Sequence, residues 1–271
     1  MSPQPTYDVI IAGAGSIGTP TAFFLAQAGL KVLVLDSRPS NGQGSNKHAI
    51  GGIRATHSDP AKILLCSNSI DIFSHWQAEH GQDIEWKAGG YSFVAYDDAT
   101  EKTLKDLLDM QRNLGLNINW LDRQAFLELV PDINPRDLHG GTYSPEDGSA
   151  SPLKASFAFY QEAVRYGAIF QFNEVVTSID TAANKVRSVT TNKGHYSTNC
   201  FINAAGSWSA EIGRLVGLDL PIKPDAHEAG ITEAVQPMFN PMIVDIRSRP
   251  GSSNFYFYQH PSGKVIFCVT P

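Results

Sequence analysis

Apolar and polar positions alternate in a way that punctuates the start of the chain. The run Val9-Ile10-Ile11-Ala12 reads as a buried strand, residues 17–28 as an apolar helix, and residues 32–35 as a second buried strand that ends on Asp36. Further along, Ile63, Leu64, Ser67, Ile70 and Phe73 recur at helical spacing and predict a helix over 61–79. Residues 84–88 and 91–96 read as strands paired around Gly89-Gly90, residues 98–114 as an amphipathic helix, and 122–130 as a short helix stopped by Pro131. A helix is expected over 153–166, strands over 170–179 and 185–191, a short buried strand over 200–204, and a helix over 209–216. Beyond Pro221 the pattern is strand-rich, with strands at 227–235, 255–260 and 265–270.

Buried runs separated by helices argue for a parallel sheet at the front of the chain, and the run at 200–204 reads as a return to it. The expectation is an α/β fold. A discontinuous Rossmann-like domain is built from 1–79 and 151–219, and a second α+β domain on a mixed or antiparallel sheet from 80–150 and 220–271. Residues 37–60 form a long Gly-, Ser- and Asn-rich loop, and loops of that length within a domain are usually functional or disordered.

Between the first strand and the first helix, Gly13, Gly15 and Gly18 stand in G-x-G-x-x-G spacing, with Asp36 closing the next strand. That order is a dinucleotide-binding unit. Gly13 permits the tight turn. Gly15 lets backbone N–H groups approach a pyrophosphate at the helix N-terminus, and Gly18 lets helix and strand pack closely. Asp36 can accept ribose hydroxyls. Its charge disfavours the extra phosphate of NADP, although Arg38 sits close by, and the motif alone leaves NAD and FAD open.

Composition narrows the class. There are 21 basic and 27 acidic residues, a net charge of −6, and no basic stripe of the kind that binds nucleic acid. No apolar run is long enough to span a membrane, and the polar first residues lead straight into a strand without a secretory signal. Cys66, Cys200 and Cys268 are scattered, which argues against a disulfide framework or a zinc or iron–sulfur site; no metal is expected, and a reducing cytoplasm is the default location.

At FINAAGSWS, residues 201–209, a second element emerges. A strand ending in Ala-Ala-Gly-x-Trp-Ser, together with the loop GSNKHAIGGIRATHSD and the segment DGSASPLKASFAFYQEAVRYGA, resembles the FAD-dependent oxidoreductases of the D-amino-acid oxidase superfamily. Glycine oxidase, sarcosine oxidase and the beta subunits of dye-linked proline dehydrogenases belong there. The resemblance covers nearly the whole chain and implies FAD. It implies that Gly13, Gly15, Ser16, Ile17 and Gly18 hold the pyrophosphate, and that Asp36, Ser37 and Arg38 surround the adenosine ribose. Gly44 and Ser45 would approach the pyrophosphate and ribityl chain. Val176, with Val175 beside it, would offer backbone groups to adenine, and Ala204, Ala205, Gly206 and Trp208 would close the second crossing.

For chemistry, the resemblance points first to His48. Relatives resembling dimethylglycine and sarcosine dehydrogenases carry a histidine in a G-S-x-x-H loop joined to the flavin, and Gly44 to His48 match that spacing. A loop histidine that only hydrogen-bonds fits the same sequence, and non-covalent FAD is the favoured reading. Arg54 would stand beside the flavin ring as a fixed positive charge. His57, before Ser-Asp-Pro, reads as a turn or cap neighbour, and Lys47 as a solvated loop lysine. Tyr256 and Tyr258, in NFYFYQH, are candidates to hydrogen-bond a substrate carboxylate; His227 and Glu228 are weaker candidates to face the flavin.

No general base stands out, and the implied reaction needs none: a neutral secondary amine or amino acid resembling sarcosine, glycine or proline delivers a hydride from its α-carbon to flavin N5 and becomes an imine. Oxidase and dehydrogenase remain open, as do heteromeric electron-accepting partner subunits. Relatives continue beyond the equivalent of FCVTP, so the resemblance implies a C-terminally truncated chain with an incomplete site. A non-catalytic FAD-binding subunit or fragment is the alternative reading. An NAD-dependent dehydrogenase would keep the glycine motif but leave the later elements unexplained.

Overall fold

The computed structural model describes residues 5–226 and 228–270. Two compact units emerge: residues 1–49 with 152–225, and residues 50–151 with 226–271.

In the first unit, four strands form a parallel sheet in the order Phe201–Asn203, Val9–Ala12, Val32–Asp36, Ile169–Phe172. The central pair is buried along its apolar run, as a parallel sheet covered on its faces requires. The helices Gly18–Gln27 and Pro152–Arg165 pack on each other, with Phe23 and Phe159 ring centroids 5.7 Å apart. A three-stranded antiparallel sheet, Val176–Ala182, Lys185–Thr191 and His195–Ser197, joins the same core through Tyr7, Ile10, Leu33, Leu35 and Val189.

The stretch 170–179, expected as one strand, is two. At Asn173 the backbone turns to positive φ (53°), a conformation that Asn tolerates better than most residues. The N–H groups of Asn173 and Glu174 donate to the carbonyls of Arg38 and Asp36, each at 2.9 Å. The chain therefore leaves the parallel sheet there and enters the antiparallel one.

The second unit holds a seven-stranded mixed sheet in the order Glu228–Ala234, Lys264–Thr270, Asn254–Gln259, Met242–Asp245, Tyr91–Ala95, Gly140–Tyr143, Asn119–Asp122. Only Met242–Asp245 and Tyr91–Ala95 pair in parallel; the other neighbours are antiparallel. Its helices are Pro60–His80, Asp98–Asn113 and Arg123–Leu129, each started by an aspartate that accepts a first-turn N–H: Asp59, Asp97 and Asp122. One sheet face is sealed by Val94, Phe126, Val130, Leu138 and Ile243.

Two expectations change here. Residues 84–88 are not a strand paired with 91–96: Glu85 takes positive φ (58°), only Lys87 bridges to Ser149, and Tyr91–Ala95 pairs elsewhere. Residues 50–79, expected with the first domain, group with the second unit. Gly52–Ile53 pairs with Gly148–Ser149, Trp76 donates to Gln82 at 3.0 Å, and Gln111 donates to the His57 carbonyl at 2.9 Å.

Candidate functional site

In the first unit, the carboxyl ends of three parallel strands open into a cavity of about 560 Å³. This is where ligands bind in open α/β sheets. The glycine turn builds its floor. Gly13 has φ of +106°, and a Cβ there would collide with the Ala204 carbonyl. A Cβ on Gly18 would land on the Gly13 carbonyl, whereas one on Gly15 would meet nothing within 4 Å. Two of the glycines therefore close the strand–helix packing, and the third faces open space. Among the described residues none accepts the backbone N–H of Gly15, Ser16 or Ile17. The helix that follows has no side-chain cap and no acid in its first turn. Free donors, an open cradle and the positive end of a helix dipole are the chemistry a pyrophosphate requires.

The cavity wall gathers Gly13, Gly15, Ser16, Ile17, Asp36, Ser37, Arg38, Gly44, Ser45, Val176, Ala204, Ala205, Gly206 and Trp208. Asp36 accepts the Ala14 N–H at 2.7 Å with one carboxylate oxygen and the Arg38 N–H at 2.8 Å with the other. The Arg38 guanidinium lies over the Trp208 ring, 5.3 Å from its centroid. Gly18 does not line the cavity, since it lies against Gly13. His48 does not line it either; it ends the exposed turn Ser45–His48, which Asn46 ties to the Pro152 carbonyl at 2.9 Å. Val175 lines the wall, but its N–H donates to the Asn192 side chain and its carbonyl accepts the Asn192 N–H.

Sequence reasoning missed Glu174, Asn203, Glu211 and Ile212 at the wall, the last two brought there by the helix Ser209–Arg214. The helix was expected, but nothing in its pattern marks the side that faces the cavity. Glu174 is buried, and one of its oxygens accepts both Thr191 at 2.6 Å and Tyr196 at 2.7 Å.

The remaining candidates lie in the second unit, on the sheet face opposite the Phe126 cluster. Tyr91, Met242, Val244 and Tyr258 form its buried core, with Ile50, Phe93 and Tyr256 packed against it. Tyr256 and Tyr258 share this face because strand side chains alternate, while Phe257 joins the other face. Tyr258 donates to the Ile50 carbonyl at 2.7 Å, and burial pushes its phenol up to about 12. Tyr256 also titrates above the ordinary phenol range, through burial and a hydrogen bond with Cys268, its cross-strand neighbour.

Arg54 lies over Phe93 and Tyr91, 5.1 and 5.8 Å from their centroids, and donates to the Thr56 carbonyl. Among the described residues it pairs with no carboxylate. His57 Nε2 sits 3.6 Å from Cys66 Sγ, and burial, then the charges of Arg54 and Lys62, lower its pKa. Lys47 is exposed, Glu228 is an exposed strand end, and His227 lies outside the described residues.

The family model for FAD dependent oxidoreductases, DAO, matches residues 8–271. The chain belongs to that family. Among curated relatives, mouse mitochondrial sarcosine dehydrogenase is 27% identical over 241 residues, which is 87% of this chain and 26% of the relative. Mouse mitochondrial dimethylglycine dehydrogenase is 28% identical over 235 residues, 84% of this chain and 26% of the relative. This chain thus spans about a quarter of the length of those two proteins. Among solved structures, L-proline dehydrogenase from P. horikoshii superposes with a TM-score of 0.90 at 27% identity, covering 98% of this chain and 70% of that one. Glycine oxidase from Bacillus cereus gives 0.82 at 25% identity, covering 98% and 72%. These findings agree with the α/β fold and with an FAD-dependent oxidoreductase. No helix among the described residues is long and apolar enough to cross a membrane.

Proposed function

We propose that this chain binds FAD in the first unit and contributes to the oxidation of a secondary amine or amino acid of the sarcosine, glycine or proline kind. The observation that carries the reading is the glycine turn: Gly15 faces open space beside three unpaired backbone N–H groups, with Asp36 at the end of the next strand. The pyrophosphate would rest on Gly13 to Gly18, the ribose against Asp36, Ser37 and Arg38, and adenine against the backbone of Val176. Gly44, Ser45, Ala204, Ala205, Gly206 and Trp208 would complete the enclosure. Among the two valines, Val176 is favoured because the N–H and carbonyl of Val175 are engaged by Asn192.

When bound, FAD supplies the hydride acceptor. The second unit would supply the substrate-side groups. Arg54 supplies a positive charge that no carboxylate of the described residues neutralises by direct pairing, suited to an anion or to negative charge developing on reduction. Tyr256 is the better candidate than Tyr258 to donate to a substrate carboxylate, because the Tyr258 hydroxyl donates to the Ile50 carbonyl, a stronger partner than the Cys268 thiol beside Tyr256. An apolar, aromatic wall would exclude water and favour the neutral amine. Non-covalent FAD is favoured: His48, through which a covalent link would run, is exposed and outside the cavity wall. A second reading is that the chain binds FAD but turns over only when further chain or a partner subunit completes the site. The quarter-length coverage of the sarcosine and dimethylglycine dehydrogenases favours it, and one curated relative is itself named a subunit, of hydrogen cyanide synthase.

The test is an anaerobic titration of the FAD-loaded protein with sarcosine, dimethylglycine, glycine and proline. Bleaching of the flavin band by one of them is the expected result. Failure to retain FAD would overturn the cofactor assignment. Retained FAD without bleaching would favour the second reading. Release of all flavin on denaturation, with an unchanged protein mass, is expected for non-covalent binding.

A further inference from the structure

Asp147 is a buried carboxylate, 1% exposed, that the chemistry above does not use. It sits in the turn before the strand Gly148–Ser149, which pairs with Gly52–Ile53, immediately ahead of Arg54. One oxygen accepts the Ala55 N–H at 2.8 Å, and the other accepts the Thr56 hydroxyl at 2.6 Å. Its own carbonyl accepts the Gly90 N–H at 2.8 Å, next to Tyr91, over which Arg54 lies. Gly148 makes this close approach feasible, because a Cβ there would collide with the Lys87 carbonyl.

A neutral side chain could satisfy the Ala55 and Thr56 donors without the cost of burying a charge. What a carboxylate adds is a negative charge near a guanidinium that it does not bond. Burial raises the Asp147 pKa, while hydrogen bonds from the Ala55 backbone and from the Thr56 side chain and backbone, and the charge of Arg54, act in the opposite direction. Asp147 thus holds Ala55 and Thr56, while the Arg54 guanidinium donates to the Thr56 carbonyl and makes no direct pair with Asp147.

We infer that Asp147 is a positioning residue for Arg54: it clamps the two residues after the arginine and sets the strength of the positive field that Arg54 presents to an anionic ligand. This rests on the reading of Arg54 as an anion-facing cation. Clamp and field have separable signatures. Asp147→Asn keeps the shape, keeps one oxygen to accept the Ala55 N–H and can donate its amide to the Thr56 hydroxyl oxygen in place of accepting from it, but removes the charge, so the Arg54 field strengthens. Asp147→Ala removes both, so the arginine is released.

The experiment is calorimetric titration of the FAD-loaded full chain with acetate, the simplest carboxylate probe, on wild type, D147N, D147A and R54M, with thermal melts run in parallel. Over a separation of roughly 10 Å, screened between the bulk-water dielectric and an effective value near 20, the removed repulsion should tighten acetate binding in D147N by about two- to sixteenfold. Binding should be about fivefold weaker in D147A and abolished in R54M. Should D147A fail to fold, Thr56→Val removes half of the clamp and is expected to weaken binding in the same direction. A purely structural role would leave D147N equal to or weaker than wild type, and that result overturns the inference. If R54M binds acetate as wild type does, or wild type does not bind it, the Arg54 reading itself falls. If R54M abolishes binding but D147N does not tighten it, only the role of Asp147 falls.

Discussion

The carboxylate of Asp36 accepts the backbone N–H of Ala14 at 2.7 Å, 22 residues earlier in the chain. The acid that closes the second strand therefore also pins the middle of the glycine turn. Its second oxygen is held by the Arg38 N–H, so the group is oriented before any ligand arrives. Preorganisation of this kind lowers the ordering cost of binding.

Removing it should be felt at the adenosine end of the cofactor. Asp36→Ala leaves the Ala14 N–H unpaired and takes away the ribose acceptor, a loss of about 1–3 kcal/mol for one such group. ADP affinity, measured by calorimetry, should fall at least about fivefold, while the fold persists by circular dichroism. Unchanged ADP binding would remove Asp36 from the site.

The three glycines should separate by what their Cβ would meet. Gly18→Ala drives a methyl onto the Gly13 carbonyl and should destabilise the fold by about 1–3 kcal/mol, the usual cost of overpacking. Gly15→Ala meets no protein atom, so its melting temperature should stay near wild type while FAD retention is lost. Equal melting losses in both variants would contradict this assignment of packing and cradle.

The two strand tyrosines should also part. Tyr258→Phe breaks the bond to the Ile50 carbonyl and should cost about 1 kcal/mol of stability, with little change in KM for an amino-acid substrate. Tyr256→Phe should instead raise KM. Denaturant melts and steady-state kinetics on the loaded protein distinguish them, and a KM effect confined to Tyr258→Phe would reverse their roles.

Alkaline pH offers a test of the phenols. Burial, and for Tyr196 also the neighbouring Glu174, lifts Tyr196 and Tyr258 from the ordinary value of 10.0 to about 12. A folded-state pKa above the unfolded one means that the stabilisation is complete below pH 10 and is lost as pH rises towards 12. Unfolding should therefore accompany phenolate absorbance in that window, and Tyr196→Phe should shift the transition upward. A phenolate signal near pH 10 in the still-folded protein that Tyr196→Phe or Tyr258→Phe removes would contradict the burial.

Much of this was legible in the chain. The apolar runs at Val9 and Val32 needed no context, because strands buried on both faces of a parallel sheet must be apolar throughout. Glycine spacing and the following acid marked the turn that lines the cavity, since each position answers a local requirement of backbone approach. Other features were not legible. Residues 84–88 have the composition of a strand, but positive φ at Glu85 breaks the run. The short strands Asn119–Asp122, Gly140–Tyr143 and Met242–Asp245 draw their stability from partners distant in sequence, and local pattern carries no record of those partners.

The sequence by itself determined the unit of strand, glycine turn, helix and strand, because turn geometry, helix dipole and strand burial all act within about thirty residues of chain. Tertiary structure alone decided which groups remain free to act. Val175 and Tyr258 each looked available until Asn192 and Ile50 were found to hold their polar groups. Nothing in the sequence marks Asp147, which folding carries to the Ala55 N–H and the Thr56 hydroxyl, more than ninety residues away in sequence. A residue type states what a side chain can bond; only the fold states what already bonds it, because those partners arrive from distant segments of the chain.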